Sequence, residues 1–390
     1  MRKITASVLV LVALIGVCGS AMAAFAQPAS VDPFQVRTAH PDFIILRHPR
    51  PSSGGPAGFS PAQFRKAYGV DLLVKTKGKG ITVAIIDACG NSHAQADLNK
   101  YDSTFGLPPT TIKIVTPQGT PCSDPGGWGI ETDLDLQMVH AIAPKASIVL
   151  EAARTASFAN LDNAAKDAYT NQGATVVSMS FGGGEFSGET GAKGDAIFSA
   201  GNTKGVSFTA SSGDSGCGAQ YPAASPFVTS VGGTTLTTQP DGAYTSETAW
   251  SGSGGGLSAF ENRPSYQNGF NSNSKRSIPD VAMVADPNTG VAMYDTDQGG
   301  FIVVGGTSVA APMWAGVLAL ANGKRVSTMK NADIELYHIA GNSSKYASDY
   351  HDITTGSAGG VCNAGKGYDL VTGLGSPAAN DLVPDLITAP

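Results

Sequence analysis

Short apolar runs that leave no polar face, separated by helix-length segments, constrain the fold of this chain more than any other feature. Residues 81–86, 147–150, 175–179, 207–210 and 228–231 read as strands buried on both sides, and 131–142, 158–171 and 192–202 read as helices. A strand buried on both faces needs cover above and below, which crossover helices supply. The expected fold is therefore α/β, with a mostly parallel central sheet and helices on both faces. In such sheets functional groups gather at the carboxyl ends of the strands. With 390 residues, 42% of them hydrophobic, the chain can bury one large core. The proline-rich stretch 27–58 reads as an extended lead-in, and 59–390 as the folded domain.

The first 26 residues read as an export signal: Arg2 and Lys3, an apolar run from Val8 to Val17, then small residues around Ala21, Ala23 and Ala24. The run is too short for a permanent membrane span, so the mature protein is expected to be secreted and free of the membrane. Cys18 follows Val17, where a lipid-anchored signal would carry a small residue, which argues against an anchor. Cys89, Cys122, Cys217 and Cys362 remain, an even number that favours two disulfides over metal ligation in an oxidising compartment. Three pairings are possible; nearness in sequence favours Cys89 with Cys122, and hence Cys217 with Cys362. The net charge of -6 is dispersed, with no basic surface for a phosphate backbone, so nucleic acid is not an expected partner.

The most informative segment is Val304-Gly305-Gly306-Thr307-Ser308-Val309-Ala310-Ala311-Pro312, which leads into an apolar helix. Glycines permit a tight turn, and the helix start offers amide hydrogens to a developing oxyanion. A lone serine here would be read as a helix cap. The longer string, ending in proline, favours Ser308 as a nucleophile. A serine hydroxyl needs a base, and histidine is the usual one. Asp87 ends the first strand as a histidine triad would require, but no histidine motif follows, and His140 lies in a segment suited to packing. The helix instead carries Glu131 and Asp135, which at four residues apart share a face, with Asp133 roughly opposite. Asp214, in Ser211-Ser212-Gly213-Asp214-Ser215-Gly216, follows another strand; alone it would be read as a turn-forming aspartate.

Taken in order, Glu-x-x-x-Asp, Ser-Gly-Asp-x-Gly and Gly-Gly-Thr-Ser-x-x-x-Pro resemble the sedolisin family of serine-carboxyl peptidases, over nearly the whole chain from Phe59 onward. The resemblance implies a subtilisin-like fold, Ser308 as nucleophile, Glu131 as general base and then acid, Asp135 orienting Glu131, and Asp214 as oxyanion partner. Asp87 falls where some relatives place a further acid behind this network. An oxyanion needs a donor, so Asp214 would act protonated; at an ordinary aspartate pKa only about one in a thousand would be protonated at pH 7. Acid operation on polypeptide substrates follows, by a secreted monomer. The chain departs from the family in two ways: Phe181 stands where many relatives carry tryptophan, and only about thirty residues replace a long folded prodomain.

Asp352 and the turn Ala364 to Asp369 offer two carboxylates and several backbone carbonyls, hard oxygen donors that suit calcium. A glycine-rich turn with a capping aspartate accounts equally for those residues alone. The family resemblance implies one structural calcium ion, held by the side chains of Asp352 and Asp369 and the carbonyls of Ile353, Gly365 and Gly367. Two competing readings remain: a histidine-dependent peptidase using Asp87, His140 and Ser308, and a non-catalytic binding domain that kept the fold.

Overall fold

In a computed structural model, residues 32–46, 55–74, 78–124 and 127–390 are described. The expected leader 1–26, including Cys18, lies outside them, as does part of the lead-in 27–58. Strand Thr82–Ala88 shows why the sheet is buried on both sides. Val83 and Ile85 face one apolar core, Ala84 and Ile86 the other, and all four are fully buried. The central eight-stranded sheet runs in the order Tyr244–Ala249, Thr229–Thr238, Ser207–Ser211, Val176–Met179, Thr82–Ala88, Ser147–Ala153, Lys113–Val115, with Val281–Val284 also paired to Thr229–Thr238. Every pairing is parallel except that of Tyr244–Ala249. Helix Phe158–Thr170 belongs to one core, and helices Trp128–Ile142 and Thr307–Asn322 to the other.

Those last two helices are buried almost all round, because they lie between the sheet and an outer layer rather than at the surface. They pack against each other so closely that a Cβ on Gly316 would lie 2.6 Å from Ile142 Cβ. This contact sets their relative position, and both carry candidate functional residues. The disulfides are Cys89–Cys122 and Cys217–Cys362, the pairing that nearness in sequence favours. No helix among the described residues is long and apolar enough to cross a membrane.

The lead-in does more than precede the domain. Strand His40–Pro41 pairs antiparallel with Phe181–Gly184, placing His40 opposite Gly182 and Pro41 opposite Phe181. Strand Ile44–Ile45 pairs antiparallel with Gly300–Gly305. Residues 40–45 therefore cross the carboxyl-end face of the sheet, held by strands on either side of the Thr307–Asn322 helix start.

Candidate active site

Ser308 occupies the second position of the Thr307–Asn322 helix and is fully buried. Gly306, with φ of 111°, turns the chain into the helix, and a Cβ there would fall 2.3 Å from the Asp42 carbonyl oxygen and 2.4 Å from Asp214 Oδ2. Further along, Pro312 has no N–H to donate to the Ser308 carbonyl four residues earlier. The Ser180 hydroxyl approaches that carbonyl at 3.5 Å instead. The Ser308 hydroxyl donates to the Ser180 carbonyl at 3.2 Å and accepts the Asp42 amide at 3.1 Å.

Helix Trp128–Ile142 begins where the Trp128 and Gly129 amides donate to Asp124, a carboxylate cap favoured by the helix dipole. One turn in, Glu131 and Asp135 share the face toward Ser308, and Asp87 is the penultimate residue of the adjacent strand Thr82–Ala88. All three carboxyls are fully buried. Burial first, then Asp135 and Asp87, pushes Glu131 well above its ordinary range, while the Ser308 hydroxyl works the other way. Asp135 is raised by burial and by Asp87, and the Ser180 hydroxyl, donating to it at 2.6 Å, opposes that rise. Burial pushes Asp87 up to about 7. Three carboxyls so close cannot all ionise, so the cluster shares protons and holds less than its full negative charge.

Asp214 lies in the loop after strand Ser207–Ser211. Its Oδ1 accepts the Thr307 amide at 2.7 Å and the Thr307 hydroxyl at 2.9 Å, capping the Ser308 helix. Its Oδ2 is buried and, among the described residues, has no hydrogen-bond partner. Burial, and then Asp42, raises this carboxyl well above the ordinary range, with the two Thr307 bonds opposing. A protonated Oδ2 can donate toward the oxygen that lies over Gly306.

The expected residues Ser308, Glu131, Asp135, Asp87 and Asp214 thus converge at one end of the sheet. His140 does not join them. It is about 13 Å along the helix from Glu131, with Nε2 at 2.8 Å from the Pro108 carbonyl and 3.4 Å from Asp102. Sequence reasoning missed Ser180, Thr307 and Asp42, whose roles depend on contacts between distant parts of the chain. Asp133, on the far face as helix geometry requires, clusters with Asp97 and Asp295, and Asn91 donates to it at 2.8 Å. Burial, Asp97 and Asp295 push Asp133 up to about 10.

The C-terminal oxygen donors also lie together. The Gly367 amide donates to both carboxyl oxygens of Asp352 at 3.1 Å, and the Gly365 amide to Asp369 Oδ2 at 3.0 Å, so one turn ties both carboxylates. Ile353 is buried beside Asp352. With two carboxylates and carbonyl oxygens, the donor set has the hard chemistry that calcium takes.

A mostly parallel sheet with a buried serine at a helix start, faced by carboxyls from a second helix and a strand-end loop, is the architecture of a subtilisin-like serine peptidase with carboxyls gathered around the serine. The model of the subtilase family matches residues 110–351. Kumamolisin of Bacillus sp. (strain MN-32) is 31% identical over 90% of this chain, and sedolisin of Pseudomonas sp. (strain 101) is 30% identical over 83%. The chain spans 68% and 60% of those relatives' lengths, respectively. A solved structure of Pseudomonas sedolisin, complexed with two molecules of pseudo-iodotyrostatin, matches with a TM-score of 0.73 at 29% identity, covering 85% of this chain and 98% of that one. Sphericase, at 19% identity and a TM-score of 0.53, shares the fold. The chain belongs to the sedolisin family of serine-carboxyl peptidases.

Proposed function

We propose that this chain is a secreted, acid-active peptidase that cuts polypeptides through an acyl-enzyme on Ser308. Ser308 attacks the peptide carbonyl, Glu131 takes its proton and returns it to the leaving amine, Asp135 holds Glu131 in place, and Asp214 donates to the oxyanion. Asp87 tunes the pair from behind. The observation that carries this reading is the Asp42 carbonyl, which accepts the Ser308 amide at 3.0 Å and shares the space over Gly306 with the unpartnered Asp214 Oδ2. A peptide carbonyl held there is where an oxyanion would form.

The protonation states set the working pH. Glu131 must start ionised, which the shared charge of the cluster permits while Asp135 and Asp87 keep their protons. Asp214 must start protonated; because burial raises its pKa, that form persists above the ordinary aspartate range and is lost as pH rises through the raised value. Hydrolysis of an unfolded protein by the purified chain at pH 4 and pH 8, with Ser308→Ala as control, tests the reading. Serine-dependent cleavage at pH 4 that fades by pH 8 is expected. Cleavage mainly at pH 8, or cleavage that survives Ser308→Ala, would overturn it.

One structural calcium ion, held by the side chains of Asp352 and Asp369 and the carbonyls of Ile353, Gly365 and Gly367, would brace the C-terminal region, supplying rigidity rather than reactivity. Chelation should then lower the melting temperature, and re-added calcium should restore it. An unchanged melting temperature in chelator would remove the ion from this account.

A further inference from the structure

The lead-in lies across the candidate site as a substrate would. His40 and Pro41 add a strand to Phe181–Gly184 on one side of Ser308, and Ile44 and Ile45 add another to Gly300–Gly305 on the other. Between them, the Asp42 carbonyl accepts the Ser308 amide and the Asp42 amide meets the Ser308 hydroxyl. The peptide bond presented to the nucleophile is therefore Asp42–Phe43. The Phe43 ring leaves in the other direction, against Gly127, where a Cβ would come within 2.9 Å of the ring edge.

The Asp42 side chain enters a pocket and is only 2% exposed. Ser211 Oγ donates to its Oδ2 at 2.7 Å and Gln220 Nε2 to the same oxygen at 2.5 Å. The other carboxyl oxygen faces His40 Nδ1 at 3.4 Å, within the lead-in itself. The Gln220 amide is built into place. It also donates to the Ser211 carbonyl at 3.3 Å, and it lies where a Cβ on Gly182 would collide at 2.0 Å. A hydroxyl and a primary amide each carry both donor and acceptor atoms. Such a pair can hold a carboxylate and, after the amide and hydroxyl reorient, a carboxylic acid. A lysine or arginine would recognise only the anion, which suits a pocket at acid pH poorly.

We infer that Ser211 and Gln220 are specificity-determining residues that select an aspartate-type side chain on the amino side of the cleaved bond, and that Asp42–Phe43 of the enzyme's own chain is the first bond it cuts. This rests on the roles proposed above for Ser308 and Asp214. Ser308 Oγ bonds to the Asp42 carbonyl carbon as its proton passes to Glu131. The bond to Phe43 nitrogen breaks as that proton moves to the new amine. Water then hydrolyses the ester, leaving a free Asp42 carboxyl and a chain that begins at Phe43. Until that cut, the lead-in fills the place of other substrates.

The full chain and its Ser308→Ala variant, purified at neutral pH and shifted to pH 4, provide the test, with new amino termini read by mass spectrometry. A terminus at Phe43 should form in the wild type alone, and Asp42→Lys should slow its formation at least about tenfold. On peptides that differ only before the cleaved bond, the wild type should favour Asp over Leu. Gln220→Leu should reduce that kcat/KM ratio by about tenfold or more, the scale of losing one buried hydrogen bond to a charged group. Serine-dependent cleavage of peptides with no excess at Asp and a terminus elsewhere would sink the specificity inference and leave the peptidase reading intact. No cleavage of chain or peptide by a folded wild type would sink the peptidase reading itself.

Discussion

Asp214 uses one carboxyl oxygen to cap the Ser308 helix and leaves the other facing the space where a substrate carbonyl would sit. Substitutions separate these two uses. Asp214→Ala removes both and should lower kcat by about 10²–10³, the range for losing one oxyanion donor. Asp214→Asn keeps an oxygen for the Thr307 amide and presents an NH2 that donates at any pH. It should retain more activity than the alanine variant, and its activity should extend further toward neutral pH. Measuring kcat from pH 3 to pH 8 for the three proteins checks this; an alanine variant within about threefold of wild type at pH 4 would end the oxyanion role. Ser308, Glu131, Asp135 and Asp214 could be picked out in the sequence because their strings, taken in order, resemble the sedolisin family; alone, Asp214 reads as a turn-forming aspartate. Asp42, Ser211 and Gln220 were not. Asp42 meets Ser211 across 169 positions and Gln220 across 178, and a proline-rich lead-in gives no local sign that it will thread the cleft.

Among the elements, the sheet was the easiest to read, since its strands are continuous apolar runs and a strand buried on both faces has few alternatives. Harder to foresee was the closeness of helices Trp128–Ile142 and Thr307–Asn322, which depends on one residue without a side chain. Gly316 lets the Ile142 side chain approach to where a Cβ would sit, 2.6 Å from both Ile142 Cβ and Cγ2. The Ile142 Cβ is fixed by the backbone and cannot swing away, so Gly316→Ala must part the helices. A loss of about 1–3 kcal/mol is expected, typical of overpacking a tight core, and is measurable by urea unfolding at pH 4. Because one helix carries Glu131 and the other Ser308, kcat should fall as well. Removing the opposing side chain, as in Gly316→Ala with Ile142→Gly, should restore part of the kcat lost by Gly316→Ala. Undiminished stability in the single variant would show that the contact does not set the helix spacing.

At the scale of the whole molecule, buried carboxyls outnumber buried cations among the described residues, and this gives stability a direction with pH. Burial is the first cause of each rise: Asp87 and Asp102 are pushed up to about 7, Glu151 and Asp333 to about 8, and Asp133 to about 10. In the unfolded chain these groups lose their protons near pH 4. Between that pH and the raised values, the native state holds protons that the unfolded state has released, so stability must fall as pH rises. The melting temperature should therefore be highest in the acid range and decline through neutrality toward pH 8. Asp133→Asn offers an internal check. Its amide oxygen can still accept from Asn91 and its NH2 can face Asp97, but it no longer needs a proton in order to stay neutral. In chelator, the variant should match the wild type near pH 4 and exceed it increasingly toward pH 8. A wild-type melting temperature that rose steadily from pH 4 to pH 8 would contradict the sign of this linkage. Burial, which raises Asp214 as it raises these carboxyls, ties the fold, as well as the proposed chemistry, to an acid medium.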